Sequence, residues 1–420
     1  MEFVMKYGKE NVSLNLNAEN VLGTIEPNEQ EGIGDPVEAI KAALANPTGS
    51  PKLREIAKTK KPNKVVIVVN DTTRPTPYNY MLPPLLEELE QADLKPDQIK
   101  FVVATGIHRG NTDKENREIF TDEIVDKYEF INHDSSGSDL ISMGTLADGN
   151  EFKVNKHVAE AEIVITTGLI GLHYFAGFSG GRKSILPGVV SKDLITLNHA
   201  RMTEPGAETG NYKTNPVHYI MMEAARKVGV DFIFNVVTNS KKEIVKVVAG
   251  ELEQAWIEGA DLCRQMNMVE LKEQADVVIA SAGGYPKDIN IYQAQKALEH
   301  AAHAIKPGGT IMLLAECFEG FGEDVFEEWI REAKTLDCIF KRFDKGFQLG
   351  GHKAYAIASI IKDREVVLVS KMPKEDVEKL FFTYAVDIEE GLEYIAKKHG
   401  QDFKAWIMPE AGMVLPTKNS

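Results

Sequence analysis

AEIVITT, residues Ala161 to Thr167, runs straight into GLIGLHYFAGFSGGRKSILPGVVSKDLITLNHAR, residues Gly168 to Arg201. The first seven residues form an apolar run of the length expected for a buried strand. The stretch that follows holds six glycines and two histidines, with Arg182, Lys183 and Arg201 among them. A glycine-rich loop is costly to order. Chains that order one commonly do so to bring backbone and a few reactive side chains against a ligand.

The same pattern recurs on either side. Lys64–Asn70 and Lys100–Thr105 read as strands; the first breaks into Asp71-Thr-Thr-Arg-Pro-Thr-Pro77 and the second into Gly106-Ile-His-Arg-Gly110. Helices are expected at Tyr80–Gln91, after the capping residues Asp35 and Thr112, and at Pro216–Val228, with a strand at Val230–Val237. A long amphipathic helix over Gly250–Met266 would lead to a second domain. There Ala275–Ser281 reads as a strand, Gly283–Asp288 as a turn, Ile291–Ala304 as a helix and Gly309–Ala315 as a strand. Strands alternating with helices predict an α/β fold of two domains, with largely parallel sheets flanked by helices. Parallel sheets bind ligands at the carboxyl ends of their strands, so the active site is expected in the interdomain cleft. The division predicted is 1–266 for the first domain and 267–404 for the second. A final strand and tail, 405–420, would either return to the first domain or stay with the second.

Composition bounds the function. The 420 residues carry 43% hydrophobic and 26% charged side chains, as in ordinary globular proteins. A net charge of −15 argues against a duplex nucleic-acid partner. Three scattered cysteines, Cys263, Cys317 and Cys338, make neither a disulfide framework nor a cysteine zinc site. With no signal-peptide pattern and no long apolar run, a cytoplasmic protein without a membrane partner is expected. Oligomeric state is left open.

Each candidate residue has a chemical and a structural reading. Gly180-Gly-Arg-Lys-Ser184 misses the phosphate-binding P-loop because Arg182 separates the glycine from Lys183. Lys183 is then a ligand-facing or an ordinary surface lysine. His108 and His173 follow strands through glycine turns; they would exchange acid and base roles, or serve structure. His199, late in a helix spanning Asp193–Met202, would cap or ligate. His300 and His303 share a helix face read as solvated. Arg74 would fork a carboxylate with Asp71 orienting it, or the two would form a local salt bridge. Gln293 and Lys296 share a helix face, and Tyr292 would point the same way.

Taken in order, DTTRPT (from Asp71), ATGIHRG (from Ala104), GLHYFAGFSGGRKSILPG (from Gly171), NHARM (from Asn198) and YQAQK (from Tyr292) resemble the nickel-dependent lactate racemase family and its 2-hydroxyacid relatives. The resemblance implies a racemase that interconverts D- and L-2-hydroxyacids by hydride transfer, lactate first, with malate or a larger 2-hydroxyacid as alternatives. It implies a nickel-pincer nucleotide, a pyridinium mononucleotide bearing a thioamide and a thiocarboxylate. Lys183 would be its covalent attachment point and His199 its nickel ligand. His108 and His173 would be the two catalytic bases. Arg74 would bind the substrate carboxylate with Gln293 and Lys296, and Asp71 and Tyr292 would line the site. Gly180 and Gly181 are added as candidates for the nucleotide phosphate. Cofactor-synthesis enzymes would be partners. The family's well-known member has a tryptophan near the site, whereas the stretch Phe347–Tyr355 here has none, which leaves substrate choice open. Readings of another class are a zinc hydrolase ligated by His108, His173 and His199, and a non-catalytic nucleotide-binding protein.

Overall fold

A computed structural model describes residues 1–418. The chain forms two compact units, Glu29–Met266 and a second that joins Met1–Asn28 to the chain from Asn267 onward. In both, parallel β-sheets are built from strands that alternate with helices.

In the first unit six strands lie in the order Ile244–Gly250, Val230–Thr238, Ile163–Leu169, Val65–Asn70, Ile99–Ala104, Glu129–Asn132. Only the pair at the Ile244–Gly250 edge is antiparallel. The strands read as continuous apolar runs because helices cover both faces of the sheet. Val65 to Val69 are all 2% exposed or less. Burying each such side chain contributes about 1.5–3 kcal/mol. From Val65–Asn70 the chain winds outward through Ile99–Ala104 and Glu129–Asn132, then returns to the other side with Ile163–Leu169. The strand order therefore reverses between Val65–Asn70 and Ile163–Leu169, and a parallel sheet opens its ligand crevice at such a point.

In the second unit six parallel strands run in the order Thr383–Ala385, Glu365–Val369, Ile305–Leu314, Ala275–Ser281, Ala405–Met408, Val21–Thr24. This differs from the expected division at the start of the chain. Val21–Thr24 adds to Ala405–Met408, so the first 28 residues fold with the second unit and not with 29–266. Ala405–Met408, whose sheet the sequence left open, pairs with Ala275–Ser281 in that unit. It stops at Met408, where Pro409 opens a turn, and Leu415–Lys418 then pairs with Met268–Leu271. Alternation identifies a strand but not the sheet it joins.

Candidate active site

Three loops at the carboxyl ends of adjacent strands build the site. After Val65–Asn70 the chain turns through Asp71–Thr76, after Ile99–Ala104 through Gly106–Arg109, and after Ile163–Leu169 through the glycine-rich stretch. Asp71 is buried, and its carboxylate accepts from the Thr73 backbone N–H (3.1 Å), the Thr73 hydroxyl (2.6 Å) and His108 Nδ1 (2.7 Å). Burial works against this carboxylate, but the hydrogen bonds from His108 and Thr73 outweigh it and hold its pKa below the ordinary value. With Nδ1–H committed to Asp71, the neutral His108 ring keeps its lone pair on Nε2. The side chain of Arg74 is exposed and hydrogen-bonds Thr73, not Asp71. The acid expected to orient the arginine thus orients the histidine.

The third loop is held differently. After Leu169 a short ribbon pairs Leu172–His173 with Gly177–Phe178, and a single turn, Gly181–Ser184, carries Lys183. His173 is half-buried, and its Nδ1 accepts from the Ala176 backbone N–H (3.3 Å), which leaves the proton of the neutral ring on Nε2. Burial first, then the nearby charges of Lys183 and Arg74, keep this imidazole well below its ordinary pKa. Burial, then Arg74 and Arg182, does the same to the Lys183 amine. His199 lies on the helix Lys192–Ala200, where its Nδ1–H donates to the Ile195 carbonyl (2.8 Å). Burial, with Lys183 nearby, pulls it down to about 4.

Phe175, which the sequence reading passed over, joins these groups. Its ring lies 4.7 Å from the His173 ring, 5.0 Å from the His199 ring and 5.9 Å from Lys183 Nζ. Lys183, His173 and His199 therefore share one wall, and His108 is close enough to act electrostatically on His199. Gly180 and Gly181 have packing reasons of their own. Both have positive φ, and a Cβ would stand 2.6 Å from Ile170 at Gly180 and 2.8 Å from Trp256 at Gly181. That accounts for glycine at both positions without a phosphate.

Among the described residues, no three His, Cys, Asp or Glu side chains are grouped as a metal-binding set, so the zinc-hydrolase reading lacks its ligands. Arg109 forks Glu115 at 2.8 and 2.5 Å. His300 is buried and not solvated as expected, its Nδ1 bonded to the Ala411 carbonyl (2.9 Å), because the chain near the C-terminus packs over that helix face. In the second unit the helix Ile291–Ala301 is capped by Asn290, and Lys296 Nζ donates to Gln293 Oε1 (3.1 Å), one helical turn away. The ring of Tyr292 is half-buried against Phe326, and burial pushes its phenol up to about 12.

Known proteins match this chain over most of its length. The family model for the lactate racemase N-terminal domain matches residues 7–210, and that for the C-terminal domain matches residues 270–415. The lactate racemase of Thermoanaerobacterium thermosaccharolyticum is 35% identical over 419 residues, 97% of each chain. That of Lactiplantibacillus plantarum is 34% identical over 385 residues, 89% of each. The solved structure of the T. thermosaccharolyticum lactate racemase apoprotein superposes with a TM-score of 0.93 at 34% identity, covering 99% of this chain and 100% of that one. A Thermotoga maritima protein, at 19% identity and a TM-score of 0.64, shares the fold.

Proposed function

This chain belongs to the lactate racemase family, and on that premise we propose that it is an isomerase interconverting the enantiomers of a 2-hydroxyacid, lactate first. One observation carries the reading: His108, His173, Lys183 and His199 meet at the switch point of one parallel sheet, three of them around Phe175.

Arg74, exposed at the rim, would hold the substrate carboxylate. Tyr292, Gln293 and Lys296, on one helix of the second unit, are kept as substrate-binding candidates on the family resemblance. With those Nδ1 partners, His108 would accept the substrate's hydroxyl proton at Nε2, and His173 would present a proton at Nε2. The opposite enantiomer would ask each ring for the reverse, with protons re-equilibrating between turnovers. Asp71 acts through His108 by fixing its tautomer.

The residues present fit the nickel-pincer nucleotide. The depressed Lys183 amine is more readily a neutral nucleophile. The Nδ1–H bond of His199 to the Ile195 carbonyl fixes the tautomer and orientation of the ring, as is usual for a ligating histidine. Gly180 and Gly181 have only backbone N–H groups to offer the phosphate. Bound there, such a group supplies a hydride acceptor for the α-hydrogen, which is too weakly acidic to leave readily as a proton.

A monocarboxylate is favoured over malate. Arg109, a cation available to a second carboxylate, is forked by Glu115, and Arg182 is fully buried in protein contacts. The test is to produce the protein together with cofactor-synthesis enzymes and follow L- to D-lactate by chiral chromatography. Interconversion that is lost in Lys183→Ala supports the reading. No interconversion by protein whose Lys183 peptide carries added mass would refute it for lactate.

A further inference from the structure

We propose that Arg182 is the positioning residue of this site: its guanidinium clamps the segment Ala176–Gly180 to the helices behind it and so sets Lys183 and His173 in place. The inference rests on the roles given above to those two residues.

Arg182 is 0% exposed, and among the described residues its hydrogen bonds run to three carbonyls and an imidazole. Burying a guanidinium is costly unless its donors are satisfied. Here Nη2 donates to the Ala176 carbonyl (2.9 Å), and Nη1 to the carbonyls of Gly180 (3.2 Å) and Ser179 (3.4 Å). Nε donates to His218 Nδ1 (3.0 Å), on the helix Pro216–Val228. The face of the guanidinium lies 3.9 Å from the Trp256 ring, on the helix Gln254–Asn267. Burial pulls Arg182 to about 9, still a cation at neutral pH, and burial with Arg182 alongside pulls His218 to about 3. The imidazole therefore stays neutral and keeps a lone pair for Nε.

The carbonyls gripped in this way all lie between His173 and Lys183. Little β-ladder reaches this segment, since its ribbon is only two residue pairs long. Side chains do that work instead. Trp256 Nε1 donates to the Ser179 carbonyl (2.9 Å), and the Asn215 amide donates to the Phe175 carbonyl (2.8 Å). Arg182 makes more of these bonds than any other residue, and it directly precedes Lys183. A lysine would keep the charge but reach one or two acceptors, so the fork is required, not the charge alone.

The test compares Arg182→Lys with the parent, both produced with the cofactor-synthesis enzymes. Small displacements of reacting groups cost up to about a hundredfold, so the fraction of Lys183 peptide carrying added mass should fall about tenfold. On the loaded chains, kcat should fall about tenfold while KM stays within about twofold, since Arg74 is untouched. Hydrogen exchange in the cofactor-free protein should speed up over 171–183 and not over 65–104. Loading and kcat like the parent's, or exchange raised evenly across the unit, would overturn the proposal. If Arg182→Lys does not fold, Trp256→Phe is read in the same way, with a smaller loss expected; no loss would overturn the clamp. A parent that never acquires mass at Lys183 would sink the functional reading, and the exchange pattern would still decide the clamp.

Discussion

The loops carrying His108 and His173 leave neighbouring parts of one sheet and hold the same imidazole in opposite ways. His108 is exposed and leans on a buried carboxylate, Asp71, which draws the ring proton to Nδ1. His173 is half-buried among cations and accepts a backbone N–H at Nδ1, which sends the proton to Nε2. In the proposed reaction one ring would take a proton and the other would offer one. The supports differ as well: a carboxylate on one side, a guanidinium gripping neutral carbonyls on the other. Paired bases need not have paired environments; a racemase needs only that each face of the substrate meets an imidazole.

The comparison can be broken outright by deleting either ring. His108→Ala and His173→Ala should each lower racemisation by about a thousandfold while mass remains on Lys183, as expected for lost acid–base groups; near-normal rates in either variant would end the two-base account. Asp71→Asn should cost about a hundredfold in kcat by unsettling the His108 tautomer, and leave the His173 NMR signals where they were.

Acid should next affect the buried side. Folded-state pKa values for His199 near 4 and His218 near 3 lie below the ordinary 6.5. The unfolded chain therefore binds protons that the folded chain refuses. Stability is full above pH 6.5 and falls as pH drops from there toward 4, by a few kcal/mol. Urea unfolding against pH measures this, and a flat profile across that window would contradict the buried, neutral imidazoles. Gly181→Ala, which sets a Cβ against Trp256 at positive φ, should destabilise by about 1–3 kcal/mol in the same assay. Arg109→Ala should change kcat/KM least of all, because its partner is Glu115 and not the substrate.

The strands and the loops leaving them were legible in the sequence, because a strand buried on both faces reads as an unbroken apolar run. Lys183, His108 and His173 were legible as residues placed on those loops and His199 as one late in the helix that follows, and the family resemblance supplied their roles. Arg182 was not: a charged residue beside a lysine reads as surface, and only the fold brings Ala176, Ser179, Gly180 and His218 around it. Asp71 was read with Arg74, its neighbour in sequence, when its partner His108 comes from the next strand. The same blindness to distant pairing hid the sheet that Val21–Thr24 joins and the burial of His300 under Ala411.

The central claim is that the α-hydrogen stays at the site while two imidazoles manage only the hydroxyl proton. Lactate deuterated at Cα, racemised in ordinary water by protein loaded at Lys183, tests it most directly. Deuterium should remain at Cα in the enantiomer formed. Deuterium lost to water at the rate of racemisation would mean that a histidine removes the α-hydrogen as a proton.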